Sequence, residues 1–120
     1  MVSSDKLAAF VASSFRSVWA LELLLLLKRE GRPCSQEELV SSLRASPAVV
    51  ENALASLIAA GLAGGDGEEM TYMPVSPDIA LLVEETEQLY RSRPNRVRRL
   101  IVASANKGLV AFSDAFRLKD

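Results

Sequence analysis

The sequence predicts a mainly α-helical fold with a small two-stranded β-hairpin and additional N- and C-terminal helices. Three observations lead to this prediction. Apolar residues recur at helical spacing along most of the chain, serine and proline capping signals open several of these segments, and a glycine-rich stretch at residues 61–67 interrupts the helical pattern. With 120 residues, 49% of them hydrophobic, the chain is expected to form a single domain over residues 1–120.

The first helix is predicted over about residues 4–30, where apolar residues at helical spacing lead into a run of leucines. A helix that is apolar around most of its circumference must be covered on several sides. It therefore forms either the centre of the core or part of a dimer seam. The aromatic residues Phe10, Phe15 and Trp19 are interpreted as core residues rather than as a cofactor site. Gly31 is expected to end the helix.

Two short capped helices follow and meet across a turn. Ser35 and Glu38 have the spacing of a capping box at the start of the first, "SQEELVSSLRA". In the second, "SPAVVENALASLIAAG", Ser46 is a natural N-cap and Pro47 suits the first helical turn, and Gly61 supplies the C-terminal stop. Two such helices joined by a turn of three or four residues form a helix-turn-helix arrangement.

The stretch "LAGGDGEEMTYMPV" is predicted as a strand, a Gly/Asp turn and a second strand that ends near Pro74. Residues 77–118 are helical again, with a break expected at Gly108. The preceding elements can form a core without these C-terminal helices, so we expect the helices to pair two subunits. The predicted dimer-interface residues are Leu7, Phe10, Leu82, Tyr90, Leu100, Phe112 and Phe116.

The segment "SQEELVSSLRASPAVVENALASLIAAGLAG" resembles the winged helix-turn-helix domains of small bacterial transcription regulators. The resemblance covers about residues 15–75 and rests on a capped helix, a turn, and a second helix leading through "LIAAGL" into a two-stranded wing. The flanking helices are similar to the MarR-like and ArsR-like arrangements, in which terminal helices pair two subunits. The resemblance implies a winged-helix core and a homodimeric transcriptional regulator that binds double-stranded DNA.

In that family the second helix, here about residues 47–60, lies in the DNA major groove. The resemblance implies that Asn52 pairs with adenine and that Ser56 reaches a base or a phosphate. Arg32 and Arg44 are expected to contact the DNA backbone. The outward positions of the second helix are expected to be Ala48, Glu51, Asn52, Ala55 and Ser56. The complete set of expected DNA-contacting residues is Arg32, Ser35, Gln36, Arg44, Ser46, Ala48, Asn52 and Ser56.

The charge pattern of the same region opposes this docking. Residues 45–90 contain no Lys or Arg and hold eight acidic residues. The family wing often offers Arg or Lys to the minor groove, whereas this one offers Asp66, Glu68 and Glu69. The alternative function is therefore a winged-helix interaction module that binds a protein partner through its acidic second helix and wing.

The basic residues fall into two groups. The first surrounds the predicted helix-turn-helix and consists of Lys28, Arg29, Arg32 and Arg44. The second lies near the C-terminal helices and consists of Arg91, Arg93, Arg96, Arg98, Arg99 and Lys107. We expect the second group to form either a solvated helix face or salt bridges to the acidic helix before it, within a helical hairpin or across a dimer. The expected pairs join Glu84, Glu85 or Glu87 to Arg96, Arg98 or Arg99. The alternatives are a phosphate-binding patch and a protein-binding face.

The composition argues against enzymatic chemistry. The chain has no histidine, so the commonest general base and metal ligand is missing, and no nucleotide-binding loop or zinc-type cysteine spacing appears. We expect no catalytic residue, no metal and no cofactor. Cys34 is interpreted as a small, partly buried residue, and the alternative is a redox-sensing thiolate near a helix N-terminus. The single cysteine, the lack of a signal peptide and the shortness of the leucine run predict a cytoplasmic protein with no membrane contact.

Overall fold

The computed structural model describes the backbone of residues 3–117 and the side chains of residues 3–105. Within this range the protein is mainly helical, as predicted, with a small antiparallel sheet. The helices are α1 (Ser4–Ser14), α2 (Val18–Glu30), α3 (Gln36–Leu43), α4 (Pro47–Ala59), α5 (Pro77–Ser92) and α6 (Pro94–Arg117). The strands are β1 (Cys34–Ser35), β2 (Ala63–Gly65) and β3 (Glu69–Tyr72), and their order in the sheet is β1-β3-β2.

The single helix predicted over residues 4–30 is two helices, α1 and α2, which meet at 103°. Ser17 has an extended backbone, and its hydroxyl oxygen accepts a hydrogen bond from the Ala20 amide at 3.2 Å. The serine thus caps a new helix instead of continuing the old one, because its side chain competes with the helical hydrogen bond. The bend brings the rings of Phe10 and Phe15 together edge to face, with centroids 5.9 Å apart.

Helix α2 is the central helix of the core, one of the two positions that its all-round apolar character predicts. It packs most extensively against α4 and also contacts α3, α6 and β3. Gly31, with φ +65°, ends it in the left-handed conformation that glycine adopts without strain. No single helix in the described part of the chain is long and apolar enough to cross a membrane; only α1 and α2 together reach that length and composition, as a bent pair. The buried residues of α2 are Ala20, Leu21, Leu23, Leu24, Leu26 and Leu27.

The two predicted capped helices are confirmed as α3 and α4. At the start of α3, the Ser35 hydroxyl accepts from the Glu38 amide at 3.2 Å and the Glu38 carboxylate accepts from the Ser35 amide at 3.3 Å. At the start of α4, the Ser46 hydroxyl accepts from the Val49 amide at 3.2 Å. The turn between the helices spans residues 44–46, and Arg44 lies in it with φ +55°.

The predicted hairpin is formed by β2 and β3, and the sheet contains a third strand that the sequence did not predict. Strand β1 pairs with β3, with Cys34 opposite Met70 and Ser35 opposite Glu69. Two residues are too short a run to show an alternating pattern, so no sequence signal marks this strand. Gly65 precedes the turn, where a Cβ atom would lie only 2.0 Å from the carbonyl oxygen of Glu69.

The C-terminal helices complete the core of the same chain. Val83 of α5 and Val97 and Ile101 of α6 are buried, and the Ser104 hydroxyl donates to the Ala12 carbonyl of α1 at 2.9 Å. The predicted break at Gly108 is wrong, because α6 continues to Arg117. One glycine costs a helix only about 1 kcal/mol, which the residues around it can offset.

Candidate functional site

The outward surface of α4 is nearly neutral and carries no positive charge. Ala48, Glu51, Asn52 and Ala55 are exposed, as predicted. Ser56, which was expected to point outward, is half-buried. Its hydroxyl donates to the Ala53 carbonyl at 2.8 Å within the helix. The helix therefore presents one amide and one carboxylate to a partner.

The turn of the hairpin is negatively charged. Asp66, Glu68 and Glu69 are all exposed. The Asp66 carboxylate accepts hydrogen bonds from the backbone amides of Glu69 and Glu68, each at 3.0 Å, and these bonds lower the pKa of Asp66. The Asp66 carboxylate is thus anchored to the backbone of the turn, and these hydrogen bonds favour its ionised form.

Three large apolar side chains are exposed on α4 and just after strand β3. Ile58 is 49% exposed, Met73 54% and Val75 73%. Backbone hydrogen bonds fix the positions of Met73 and Val75, because the Val75 amide donates to the Gly61 carbonyl and the Met73 amide to the Leu62 carbonyl, both at 2.9 Å. We refer to the following residues as the α4–hairpin surface: Ala48, Glu51, Asn52, Ala55, Ile58, Asp66, Glu68, Glu69, Met73 and Val75.

Two of the four cations expected near the helix-turn-helix are engaged in salt bridges. The Arg32 guanidinium lies 2.8 Å from Glu38 and 3.1 Å from Glu30. The Lys28 ammonium lies 2.9 Å from the Glu87 carboxylate of α5, and both side chains are less than a quarter exposed. Among the side chains that the structure describes, Arg29 and Arg44 form no salt bridge, and both are exposed.

The other expected DNA contacts have structural roles or partial burial. Ser35 and Ser46 each cap the helix that follows, so one acceptor site of each hydroxyl is occupied. Gln36 is half-buried at the start of α3. Of the eight expected contacts, those that are exposed and whose side chains form no hydrogen bond or salt bridge with the described residues are Arg44, Ala48 and Asn52.

The salt bridges expected between α5 and α6 do not form within the described residues. Glu87 pairs instead with Lys28 of α2 and, at 3.3 Å, with Arg91 of its own helix. Arg98 donates to the Asn95 side chain at 3.2 Å and to the Tyr90 hydroxyl at 3.3 Å. The polar side chains of α5 thus meet partners on α2, as in the pairs Lys28–Glu87 and Glu22–Tyr90.

Five of the seven expected dimer-interface residues contribute to the core of a single chain. Phe10 and Leu82 are buried, at 8% and 6% exposure, and therefore have little surface left for a partner. Leu7, Tyr90 and Leu100 are half-buried against the same core. The side chains of Phe112 and Phe116 lie outside the described residues.

Cys34 is more deeply buried than the sequence suggested. It is 1% exposed in β1, and its sulfur lies 3.5 Å from the Arg32 carbonyl, to which the thiol donates. Burial raises the pKa of the Cys34 thiol, although the nearby Arg32 charge partly opposes this. The thiol form is favoured, which argues against the redox-sensing alternative.

A groove opens between α2, the end of α3, the end of α5 and the start of α6. The prediction that Phe10 and Phe15 are core residues is confirmed, but the prediction for Trp19 is wrong: Trp19 is 43% exposed and lies at this groove. The groove encloses about 430 Å³. It is lined by Val18, Trp19, Glu22, Ser42, Leu43, Tyr90 and Arg98. Partners such as Glu22 and Tyr90 are 68 residues apart, so no local pattern could reveal the site.

Comparisons with protein-family models, with curated proteins and with solved structures give no match to this chain. Its function must therefore be inferred from its own surfaces.

Proposed function

We propose that this chain is a winged-helix domain that binds a protein partner through the α4–hairpin surface. The winged-helix assignment is supported by the order α2, β1, α3, α4, β2, β3 and by the three-residue turn between α3 and α4. The observation that carries the functional proposal is the charge of the surface. Its α4 side chains include no cation, and the adjoining turn exposes three carboxylates.

DNA binding needs the opposite distribution of charge. Most of the affinity of a protein for DNA comes from Lys and Arg neutralising phosphates and releasing counterions. Here Lys28 and Arg32 are held by carboxylates, and Arg29 and Arg44 are left to offset the negative turn. The α4–hairpin surface exposes the apolar side chains of Ile58, Met73 and Val75 and the carboxylates of its turn. A complementary protein partner would present an apolar centre surrounded by basic side chains.

A homodimeric DNA-binding regulator in the cytoplasm is the second candidate, and one observation favours it. Asn52 is exposed on α4, and Arg44 is exposed in the turn directly before that helix, without a salt bridge to the described residues. A homodimer would present two copies each of Asn52 and Arg44 to the DNA. Dimerisation remains a proposal, to be tested by analytical ultracentrifugation of the full chain over a wide range of concentration.

The experiment that separates the two candidates starts with fluorescence anisotropy. The purified protein is titrated into labelled duplexes, one from upstream of its own gene and one scrambled, at low and near-physiological salt. The protein-partner proposal expects no sequence-selective binding and at most weak binding at low salt. Tight, selective binding that Asn52→Ala relaxes and Arg44→Ala weakens for every sequence would overturn it in favour of the DNA regulator.

The partner itself is sought by cross-linking and mass spectrometry in an extract of the source cells, followed by titration with the purified partner. Glu68→Lys is compared with Asp5→Lys, because both reverse one exposed carboxylate and Asp5 lies on α1. We expect Glu68→Lys to weaken binding about tenfold and to reduce its salt dependence, while Asp5→Lys leaves both unchanged. Equal effects of the two substitutions would show that the α4–hairpin surface is not the binding site.

A further inference from the structure

The groove beside Trp19 is lined by one carboxylate, Glu22, and one guanidinium, Arg98, and the hydroxyl of Tyr90 bonds to both of them. The Tyr90 hydroxyl donates to Glu22 of α2 and accepts from Arg98 of α6. Burial, followed by the hydrogen bond to Glu22, raises the pKa of Tyr90, so the phenol keeps its proton. Glu22 and Arg98 form no direct salt bridge with each other.

Both charged groups retain hydrogen-bonding capacity towards the groove. Glu22 receives Tyr90 on one oxygen, and its second oxygen binds none of the described side chains or amides. The Arg98 guanidinium lies over the Tyr90 ring, 5.4 Å from the ring centroid, and donates to Tyr90 and Asn95 through its two terminal nitrogens. A guanidinium has five N–H donors, so it can bind a further acceptor.

The remaining lining is largely apolar. Val18 and Trp19 of α2 and Leu43 of α3 line the same groove as the charged pair, and Ser42 adds a hydroxyl. The volume of about 430 Å³ lies in the range of small-molecule sites, which are roughly 300–1,000 Å³. Such a site, apolar with a few placed polar groups, selects a ligand with a matching arrangement of charge.

We propose that this groove binds a free α-amino acid with a large apolar side chain. The ammonium group of the ligand donates to Glu22, its carboxylate accepts from Arg98, and its side chain lies against Trp19, Val18 and Leu43. A zwitterion forms charge-assisted hydrogen bonds with both half-buried Glu22 and exposed Arg98, whereas a simple amine or acid forms them with only one of the two. The site is separate from the α4–hairpin surface, so this proposal does not rest on the proposed function.

The test uses Trp19, the single tryptophan of the chain, as the reporter. The full chain is titrated with L-phenylalanine at neutral pH while tryptophan is excited selectively, and calorimetry gives an independent binding curve. Two analogues lack one charge each: 3-phenylpropanoate has no ammonium group and phenethylamine has no carboxylate. We expect saturable binding of phenylalanine and at least tenfold weaker binding of both analogues.

Substitutions in the groove provide the second arm. Glu22→Gln keeps an acceptor for Tyr90, and Arg98→Met keeps the length of the side chain without its charge. Each is expected to weaken phenylalanine binding at least tenfold, while the matched exposed controls Glu84→Gln and Arg99→Met leave it unchanged. Circular dichroism and urea unfolding verify that all four variants fold.

Three results would overturn the proposal. One is that neither L-phenylalanine nor L-leucine shows saturable binding at millimolar concentration, by fluorescence or by calorimetry. Another is binding of 3-phenylpropanoate or phenethylamine as tightly as phenylalanine, which would mean that only one of the two charges recognises the ligand. The third is equal weakening by the groove variants and their controls.

Discussion

Arg32 donates to the Glu38 carboxylate at 2.8 Å, and the same carboxylate closes the capping box of α3. One side chain thus stabilises the start of α3 and neutralises a cation that the sequence assigned to DNA. The local structure of the helix and the electrostatics of the surface are consequently linked. Substitution of Glu38 would weaken the cap of α3 and would also leave Arg32 with Glu30, at 3.1 Å, as its remaining carboxylate partner among the described residues.

The first prediction concerns acid stability. The hydrogen bond from Arg32, followed by that from the Ser35 amide, lowers the pKa of Glu38 in the folded protein. A lowered folded-state pKa means that the contribution to stability is complete above the unfolded value of about 4.3 and is lost as the pH falls through the folded value. We expect Glu38→Gln to lose less stability than the wild type between neutral pH and about pH 3. Urea unfolding at both pH values measures this, with Glu51→Gln of exposed α4 as the control; equal pH dependence of wild type and Glu38→Gln would contradict the prediction.

The second prediction concerns Arg44, whose φ of +55° lies in the left-handed region. This conformation costs a non-glycine residue roughly 1–2 kcal/mol, and the greater freedom of glycine in the unfolded chain offsets part of the gain. We expect Arg44→Gly to be about 0.5–1 kcal/mol more stable than Arg44→Ala in urea unfolding. Both variants remove the same charge, so they must behave alike in the DNA titration. A more stable alanine variant would show that this turn is not strained.

The third prediction compares two cations bound to one carboxylate. Lys28 and Glu87 are 23% and 17% exposed, whereas Arg91 is 77% exposed. Removal of Lys28 leaves a largely buried carboxylate without its closest partner, which costs about 1–2 kcal/mol. Removal of the exposed Arg91 is expected to cost under about 1 kcal/mol. Urea unfolding of Lys28→Met and Arg91→Met tests this order, and the reverse order would refute it.

The fourth prediction concerns the exposure of Trp19. At 43% exposure, its indole is in contact with water in the native state. We expect acrylamide to quench its fluorescence in the folded protein and the emission maximum to shift only modestly on unfolding. A blue-shifted emission that acrylamide does not quench would place Trp19 in the core or in an interface between subunits.

The fifth prediction concerns Cys34. Because the side chain is buried and its thiol pKa is raised, alkylation at neutral pH should be many-fold slower in the folded protein than in urea. The reaction of N-acetylcysteine under both conditions corrects for the effect of urea on the reagent. Equal rates in the folded and unfolded protein would revive the redox-sensing alternative.

Features that depend on interactions between residues close in the sequence were predicted correctly more often than features that depend on distant residues. The caps at Ser35 and Ser46 and the stop at Gly31 act within three or four residues, so their signals stand in the sequence and the structure confirms them. Ser17 gives the same kind of local signal. The strong apolar pattern on both sides of it led to the prediction of a single helix.

The sequence by itself determined the helical class, the capped starts of α3 and α4, the hairpin, and the lack of cations over residues 45–90, because composition and capping are local properties. The tertiary structure alone decided which charges are free. Lys28 meets Glu87 across 59 residues, and Glu22 meets Tyr90 across 68. Such contacts depend on how helices pack, and the apolar spacing that drives packing does not specify which polar groups meet at its edges. The neutralised cations, the exposed Trp19 and the groove beside it all arise at that level.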